Sequence, residues 1–554
     1  MTKEYEKLGL MPYGAFPNER QMEWYKRQGC IFFHFGMNTF TDKEWGDGSE
    51  DPALFNPTEL DVEQWIRAIK GAGFTCAILT AKHHDGFCLW QTKYTNHSVK
   101  SSPYKNGQGD IVKEFTDACR KYGVKAGIYL SPWDRHEKSW GKDEYNDFYV
   151  GQLRELLTGY GEIWEVWWDG AGSTEAVYDW ERWAKTVKEL QPNAVIFGSL
   201  GATPWVDVRW VGNEKGIAGK PCYATIDAHS LVVENTAELN SGKLGGERFI
   251  PAEADVSIRP GWFYHSEQDD KVRSSQNLME LWFNSIGSNA GFLLNLPPDK
   301  RGLIHENDVK SLLSFKKCLD GLLDSNLALD GEFCGESVDN FPLDNLTKKN
   351  KLFIPKKKSF DFEVNLPTKK KINTLMIGEG IELGHKVTKI KVSALVNGIW
   401  QQLFTNDIIG YKLAQQFDEV TTDKIKIEIN ALDTPILRDF GLYYYEKKSQ
   451  ETLYKDKKNL LSSNLSLTEI SKNEIDVNLG GIIPFNFITV KNVGDVSFNL
   501  QIFNGTALET VCQGVSKNGE IQIKLSNTVD YAYRFKIVLD KDVRESASLE
   551  VYNI

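Results

Sequence analysis

Through roughly its first 300 residues the chain alternates short apolar runs with segments of helical periodicity, the pattern of repeated βα units. The runs cover residues 30–36, 74–80, 124–130, 163–168, 194–198, 206–211, 249–256 and 291–296. Between them, residues 61–72 carry Val62, Trp65, Ile66 and Ile69 at helical spacing, so these side chains share one face. Residues 111–122 and 180–190 repeat that pattern. Eight runs with intervening helices predict a (β/α)8 barrel over residues 1–325. A doubly wound sheet would need a glycine-rich phosphate loop after its first strand, and His34-Phe35-Gly36-Met37-Asn38 is not one.

Past residue 325 the period shortens to two. Residues 389–396 and 424–429 alternate lysine with isoleucine or valine, and 441–445 is a glycine, a leucine and three tyrosines. One wet and one buried face predicts a β-sandwich over residues 326–446. The charged stretch 447–458 reads as a linker, and apolar runs at 485–490 and 497–503 predict a further all-β module over 455–554, with carbohydrate binding as its candidate role. The lysine clusters at 348–358 and 369–371 read as solvated turns or edge-strand gatekeepers rather than an anionic-glycan patch.

Polar residues recur where the barrel runs end. His34 closes the first, His83, His84 and Asp85 follow the second, Tyr129 lies in the third and Asp169 ends the fourth. Glu214 follows the sixth, and Glu253 and Asp255 lie in the seventh. The carboxyl ends of the strands are where a barrel keeps its chemistry. The fourth run is the most pointed: Ile163-Trp164-Glu165-Val166-Trp167-Trp168 stops in Asp169-Gly170. A carboxylate that ends a buried aromatic strand is a candidate nucleophile.

Composition narrows the field. The net charge of -11 supplies no basic field for nucleic acid. No run of 18 apolar residues spans a membrane, and the start MTKEYEKLGL lacks a signal-peptide core, which predicts a cytoplasmic protein unless a signal was removed. The eight cysteines have no paired spacing and read as free buried thiols. Sixteen tryptophans, many in the first half, fill core first, but indoles also stack on sugar faces.

Retaining glycoside hydrolysis needs a nucleophilic carboxylate and an acid/base carboxyl about 5–5.5 Å apart. Asp169 and Glu214, in Gly212-Asn213-Glu214-Lys215-Gly216, are the candidate pair. His34, His83 and His84 are better placed to hydrogen-bond hydroxyls than to hold a metal, because adjacent residues on a strand point to opposite sides and no HxH or HExxH occurs. Neither metal nor cofactor is expected; Gly-x-Ser-x-Gly and Walker A are absent.

The set His34-Phe35-Gly36, Glu44-Trp45, Lys82-His83-His84-Asp85-Gly86-Phe87, Tyr129, Trp167-Trp168-Asp169-Gly170, Gly212-Asn213-Glu214 and the stretch from Glu253 to Tyr264 resembles the α-L-fucosidases of glycoside hydrolase family 29. The likeness spans residues 10–445. It implies a retaining exo-hydrolase of terminal α-L-fucose that acts on fucosylated oligosaccharides or glycoconjugates. By position, Asp169 resembles the nucleophile, and His34, Glu44, Trp45, His83, His84, Tyr129, Trp262 and Arg259 the fucose-binding set. The Gly-Asn-Glu turn is similar to that of the subfamily cleaving α-1,3/1,4 linkages in Lewis-type glycans, which makes Glu214 the acid/base and Glu253 its competitor. Broader specificity including α-1,2 linkages, or a carbohydrate-binding protein without catalysis, are the alternatives.

Overall fold

The computed structural model describes residues 5, 7, 9–27, 29–171, 176–227, 236–446, 467–478, 485–503, 508–529, 534–542 and 547–552. The proposed linker at 447–458 lies outside them.

Eight parallel strands close a barrel: β1 (Gly29–Phe33), β2 (Cys76–Lys82), β3 (Lys125–Leu130), β4 (Glu165–Trp168), β5 (Val195–Gly198), β6 (Val208–Trp210), β7 (Ala252–Ser257) and β8 (Gly291–Asn295). Each strand pairs with its successor, and β8 returns to β1 through Gly29–Phe292 to Phe32–Asn295. Nearly every strand residue is buried, because one face fills the barrel and the other packs under helices. Along β4, Val166 and Trp168 join the core beneath the helices while Trp167 joins the barrel interior with Phe32, Ile78, Tyr129 and Phe197.

The helices begin where the sequence supplies caps. Asp61, Asp110 and Asp179 each accept from a backbone N–H one turn in, at the starts of Val62–Gly71, Ile111–Tyr122 and Trp180–Leu190. Gly123 ends the second with a left-handed φ of 67°.

The seventh run is not one strand. Arg248–Phe249 pairs antiparallel with Thr225–Ile226, and the barrel strand starts only at Ala252. Pro251, which has no N–H to give a ladder, separates the two and still accepts from Arg209 N through its carbonyl. The sixth strand shrinks to three residues.

After the barrel, Glu332–Gly335, Ser359–Glu379, Val387–Val396, Ile399–Asn406, Leu413–Ala431 and Leu437–Tyr443 form an antiparallel sheet array around its own core, which includes Phe362, Ile390, Ile427 and Phe440. The lysines of the alternating strands lie among carboxylates: Lys391 with Glu428, Lys424 with Glu363, Lys426 with Asp361 and Lys371 with Glu419. They form a mixed-charge wet face. This array shares buried core with the barrel, since Met376, Ala414 and Tyr443 pack in the same cluster as the barrel helices. Backbone bonds cross the junction from Ala414 N to Gly287 O and from Asn289 N to Lys412 O. A third unit has a five-stranded and a three-stranded antiparallel sheet, with Ile475, Phe485, Ile488, Leu500, Phe535 and Ile537 buried in one cluster.

Candidate active site

A cleft of about 910 Å³ opens at the carboxyl end of the barrel, lined by His34, Glu44, Trp45, His83, His84, Trp167, Asp169, Ser199, Trp210, Glu214, Asp255 and Trp262 among others. The strands or the segments directly after them deliver these groups, as a parallel barrel requires.

Asp169 follows β4. Its Oδ1 accepts from Ala171 N at 2.8 Å, and its Oδ2 accepts from the Tyr129 hydroxyl at 3.0 Å, with His84 Nε2 3.8 Å away. Burial, reinforced by the Asp169 charge, holds the Tyr129 hydroxyl well above its usual range, so it stays a donor. Asp169 is thus a carboxylate held by two donors with its face toward the cleft.

Three histidines line the same cleft. His34 is fixed through Nδ1 by Asn295 Oδ1 at 2.9 Å, and Asn295 is itself held, donating to Ser257 Oγ and Trp262 O. His84 Nδ1 meets Ser131 Oγ at 2.7 Å. His83 and His84 both face the cleft, with ring centroids 4.0 Å apart, because they lie past the end of β2, where the register with β3 also shifts between Thr80 and Lys82. The extended-strand argument that separates neighbours therefore does not apply to them. Burial lowers His34 to about 3 and His84 to about 4, and takes His83 well below the ordinary value with help from the two neighbouring imidazoles. With Nδ1 of His34, His84 and His83 met by Asn295, Ser131 and Asn38, each neutral imidazole keeps its Nε2 to bond one sugar hydroxyl. Among the described residues no three His, Cys, Asp or Glu side chains are grouped to hold a metal ion.

Glu214 sits on the turn after β6, tied down by a bond from Gly216 N to Asp255 O at 3.0 Å. Its Oε2 accepts from Trp262 Nε1 at 3.2 Å. Partial desolvation, then the charges of Asp169 and Glu44, raise its pKa despite the indole bond. Glu44 is gripped by Trp262 N at 2.8 Å, Phe263 N at 3.2 Å and His265 Nε2 at 2.7 Å. Trp45, 56% exposed, stands edge-on to His84 and Trp133, with centroids 5.7 and 5.4 Å away. Behind them Lys82 Nζ is buried against Asp134 Oδ2 at 2.8 Å, and Asp134 Oδ1 caps His136 N and Glu137 N, fixing the loop that carries Trp133.

The chain was compared with known proteins. The sequence profile of the family described as "Alpha-L-fucosidase" matches residues 5–320. This chain belongs to the α-L-fucosidase family. Alpha-L-fucosidase 1 of Arabidopsis thaliana is 39% identical over 451 residues, 78% of this chain and 88% of that one. A glycoside hydrolase 29 family member from an unknown rumen bacterium is 30% identical, covers 98% of this chain and 100% of its own, and superposes with a TM-score of 0.70. A Ruminococcus gnavus GH29 fucosidase, solved in complex with fucose, is 30% identical over 79% of this chain and 96% of that one, with a TM-score of 0.73.

Four of the residues singled out in the sequence are not among the cleft-lining residues of this α-L-fucosidase: Asp85 and Tyr129 are buried, Tyr129 acting through its bond to Asp169, and Arg259 and Glu253 lie elsewhere. The Arg259 side chain is fully buried, bonded to Asp308 through Nε and Nη2 and to Asp269 through Nη1, and is not among the cleft-lining residues. A guanidinium with those three bonds is engaged as a brace for the segment after β7. Glu253 lines a separate cavity at the amino end of the barrel with Trp24, Cys30, Cys76 and Trp164. It touches the cleft only through Trp167, whose indole donates to Glu253 Oε1 at 3.2 Å.

Of the polar residues marked in the seventh run, Asp255 is the one that reaches the cleft, and the structure adds groups the sequence did not mark. Asp255, on β7, is 3% exposed, accepts from Trp210 Nε1 at 2.9 Å, and is driven far above the carboxylate range by burial and then by Glu214. Asn295 closes an otherwise apolar run, the one hint of its role, and Ser199 and His265 left no signal at all.

Proposed function

We propose that this α-L-fucosidase is a retaining exo-enzyme that removes terminal α-1,3/1,4-linked L-fucose from Lewis-type glycans, with Asp169 as nucleophile and Glu214 as general acid/base. The observation that carries the reading is the lining of one cleft by both carboxyls, one held by donors and the other kept protonated into a higher pH range. The linkage preference rests on the Gly212-Asn213-Glu214 turn.

The chemistry follows from those environments. The Asp169 carboxylate attacks the anomeric carbon while Glu214 passes its proton to the glycosidic oxygen, so the aglycone leaves as an alcohol and the sugar is left as an ester of Asp169. Ester formation removes the Asp169 charge that helped raise Glu214, so Glu214 becomes the better base for the incoming water. Water then adds at the anomeric carbon, its proton goes to Glu214, and Asp169 returns as carboxylate. The neutral His34, His83 and His84 and the Glu44 side chain read the sugar hydroxyls, which a sugar lacking those groups would leave unpaired at a cost of about 1–3 kcal/mol each. Trp262 offers an apolar face beside them, and Trp45 with Trp133 offers an aromatic shelf for the aglycone.

The test compares initial rates on Lewis a and Lewis x trisaccharides, 2′-fucosyllactose and an aryl fucoside, with the anomer of the first-formed sugar read by NMR. The proposal expects trisaccharides to outpace 2′-fucosyllactose and the α-anomer to form first. Equal rates on 2′-fucosyllactose would replace the linkage preference with broad specificity, and a β-anomer would remove the retaining mechanism.

A further inference from the structure

Among the described residues the cleft is lined by four carboxyl groups, Glu44, Asp169, Glu214 and Asp255, and by no lysine or arginine. Its three histidines are held neutral. One layer back, behind Glu44, lies His265, which is 7% exposed. Its Nε2 is 2.7 Å from Glu44 Oε1 and its Nδ1 is 2.7 Å from Asp42 Oδ1.

That geometry decides the protonation of the ring. A neutral imidazole has one N–H and one lone pair, so against two carboxylates it would face one of them lone pair to lone pair. Only the imidazolium donates at both ends. Burial opposes the charge and is the largest single influence, but the bonds and charges of Glu44 and Asp42 outweigh it and raise the pKa. Asp42 and Glu44, both from the segment after β1, are the ionisable groups facing the ring; on its own segment Asp269 is turned toward Arg259. The surroundings fit a built clamp. Asp42 takes a left-handed φ of 59° after the short helix Met37–Thr41, and a Cβ at Gly261 would fall 2.5 Å from Glu44 Oε1 and 3.0 Å from His265 Cδ2.

We propose that His265 is a positioning residue, a doubly donating imidazolium that holds the Glu44 carboxylate aimed at the bound sugar, and that glycan binding weakens when it loses its proton. The clamp acts on more than Glu44. The Glu44 carboxylate also accepts from the backbone of Trp262 and Phe263, and the Trp262 indole donates to Glu214. One proton behind the cleft therefore keeps the sugar-binding wall and the acid/base in register. The inference rests on the reading that Glu44 contacts the sugar.

The experiment measures KM and kcat between pH 5 and 9 for the wild type, His265→Gln, Asp42→Asn, Glu44→Gln and the Glu44→Gln/His265→Gln double variant, with thermal melting as a folding check. In the wild type, KM should rise on the alkaline side more than kcat falls. His265→Gln should raise KM about tenfold at neutral pH, the scale of one charge-assisted hydrogen bond, and flatten the alkaline rise. Asp42→Asn should move that rise to lower pH, because one of the two anions supporting the proton is gone. The double variant should match Glu44→Gln alone, since the histidine acts through the glutamate. A wild-type KM in a folded His265→Gln, an alkaline rise that persists in it, or additive effects in the double variant would overturn the clamp. A wild-type KM in Glu44→Gln would remove the sugar contact itself, which is a separate failure.

Discussion

The two ends of the barrel use the same residue types to opposite effect. At the carboxyl end, Asp169 is satisfied by a hydroxyl and a backbone N–H and looks into an open cleft. At the amino end, Glu165 is completely buried and neither of its oxygens has a hydrogen-bond partner among the described residues. Burial and the neighbouring Glu253 carboxyl push Glu165 far up, and burial raises Glu253 to about 7. Trp167 is the partition, its ring in the cleft wall and its N–H on Glu253. A carboxyl group becomes an instrument of chemistry when donors hold it in place within reach of a substrate; burial without donors makes it a neutral spacer.

The largest effect should come from the open end. Asp169→Ala should lower kcat by about 10⁴-fold or more while leaving the melting temperature close to that of the wild type, the scale seen when a nucleophile is removed. Full turnover in that variant would erase the contrast between the ends. Next, Glu214→Ala should lose about 10²–10⁴-fold on substrates with poor leaving groups, and azide should restore its rate on an activated aryl fucoside. Glu253→Ala, assayed in parallel, should show no azide rescue; rescue there would move the acid/base to the amino end.

Arg259→Ala tests a residue that resemblance assigns to the sugar and the structure pairs with Asp308. It should cost about 3–5 kcal/mol of stability by leaving a buried carboxylate unpaired, seen as an earlier urea midpoint. A tenfold rise in KM without that loss would return Arg259 to the substrate.

The smallest effect is confined to pH. The folded pKa of Glu253 lies near 7, above its ordinary 4.5, so its contribution to stability is whole below 4.5 and is lost as pH rises through about 7. Glu253→Gln should flatten that decline, worth about 3 kcal/mol across the window, in urea titrations at a series of pH values. A decline that persists unchanged would mean the amino-end pair does not titrate there.

Much of this was legible in the chain. The eight runs, the helical periodicity between them and the polar residues at run ends mark the barrel and most of the cleft, because local periodicity and strand-end chemistry are written in consecutive residues. What was not legible depends on contacts between distant segments. Pro251 divides a run that hydrophobicity alone reads as one strand. Arg259 sits in a motif beside the cleft, yet Asp308, 49 positions away, turns it aside. His265 acquires its role only when Asp42 and Glu44 arrive from 221 or more positions earlier. The sequence marks His83 and His84 as following the second run, but the alternation argument that would turn them apart does not hold, since both lie just beyond the strand.

The junction between barrel and sandwich has a practical consequence. Because Met376, Ala414 and Tyr443 complete the packing of the barrel's own helices, and Asn289 is bonded both to Lys412 O and to Tyr411 N, the two units should unfold as one cooperative block. Calorimetry of the intact chain should show the two melting in a single endotherm. A gene trimmed after residue 325 would leave that apolar seam uncovered, and its product should collect in the insoluble fraction with the cleft residues all still encoded.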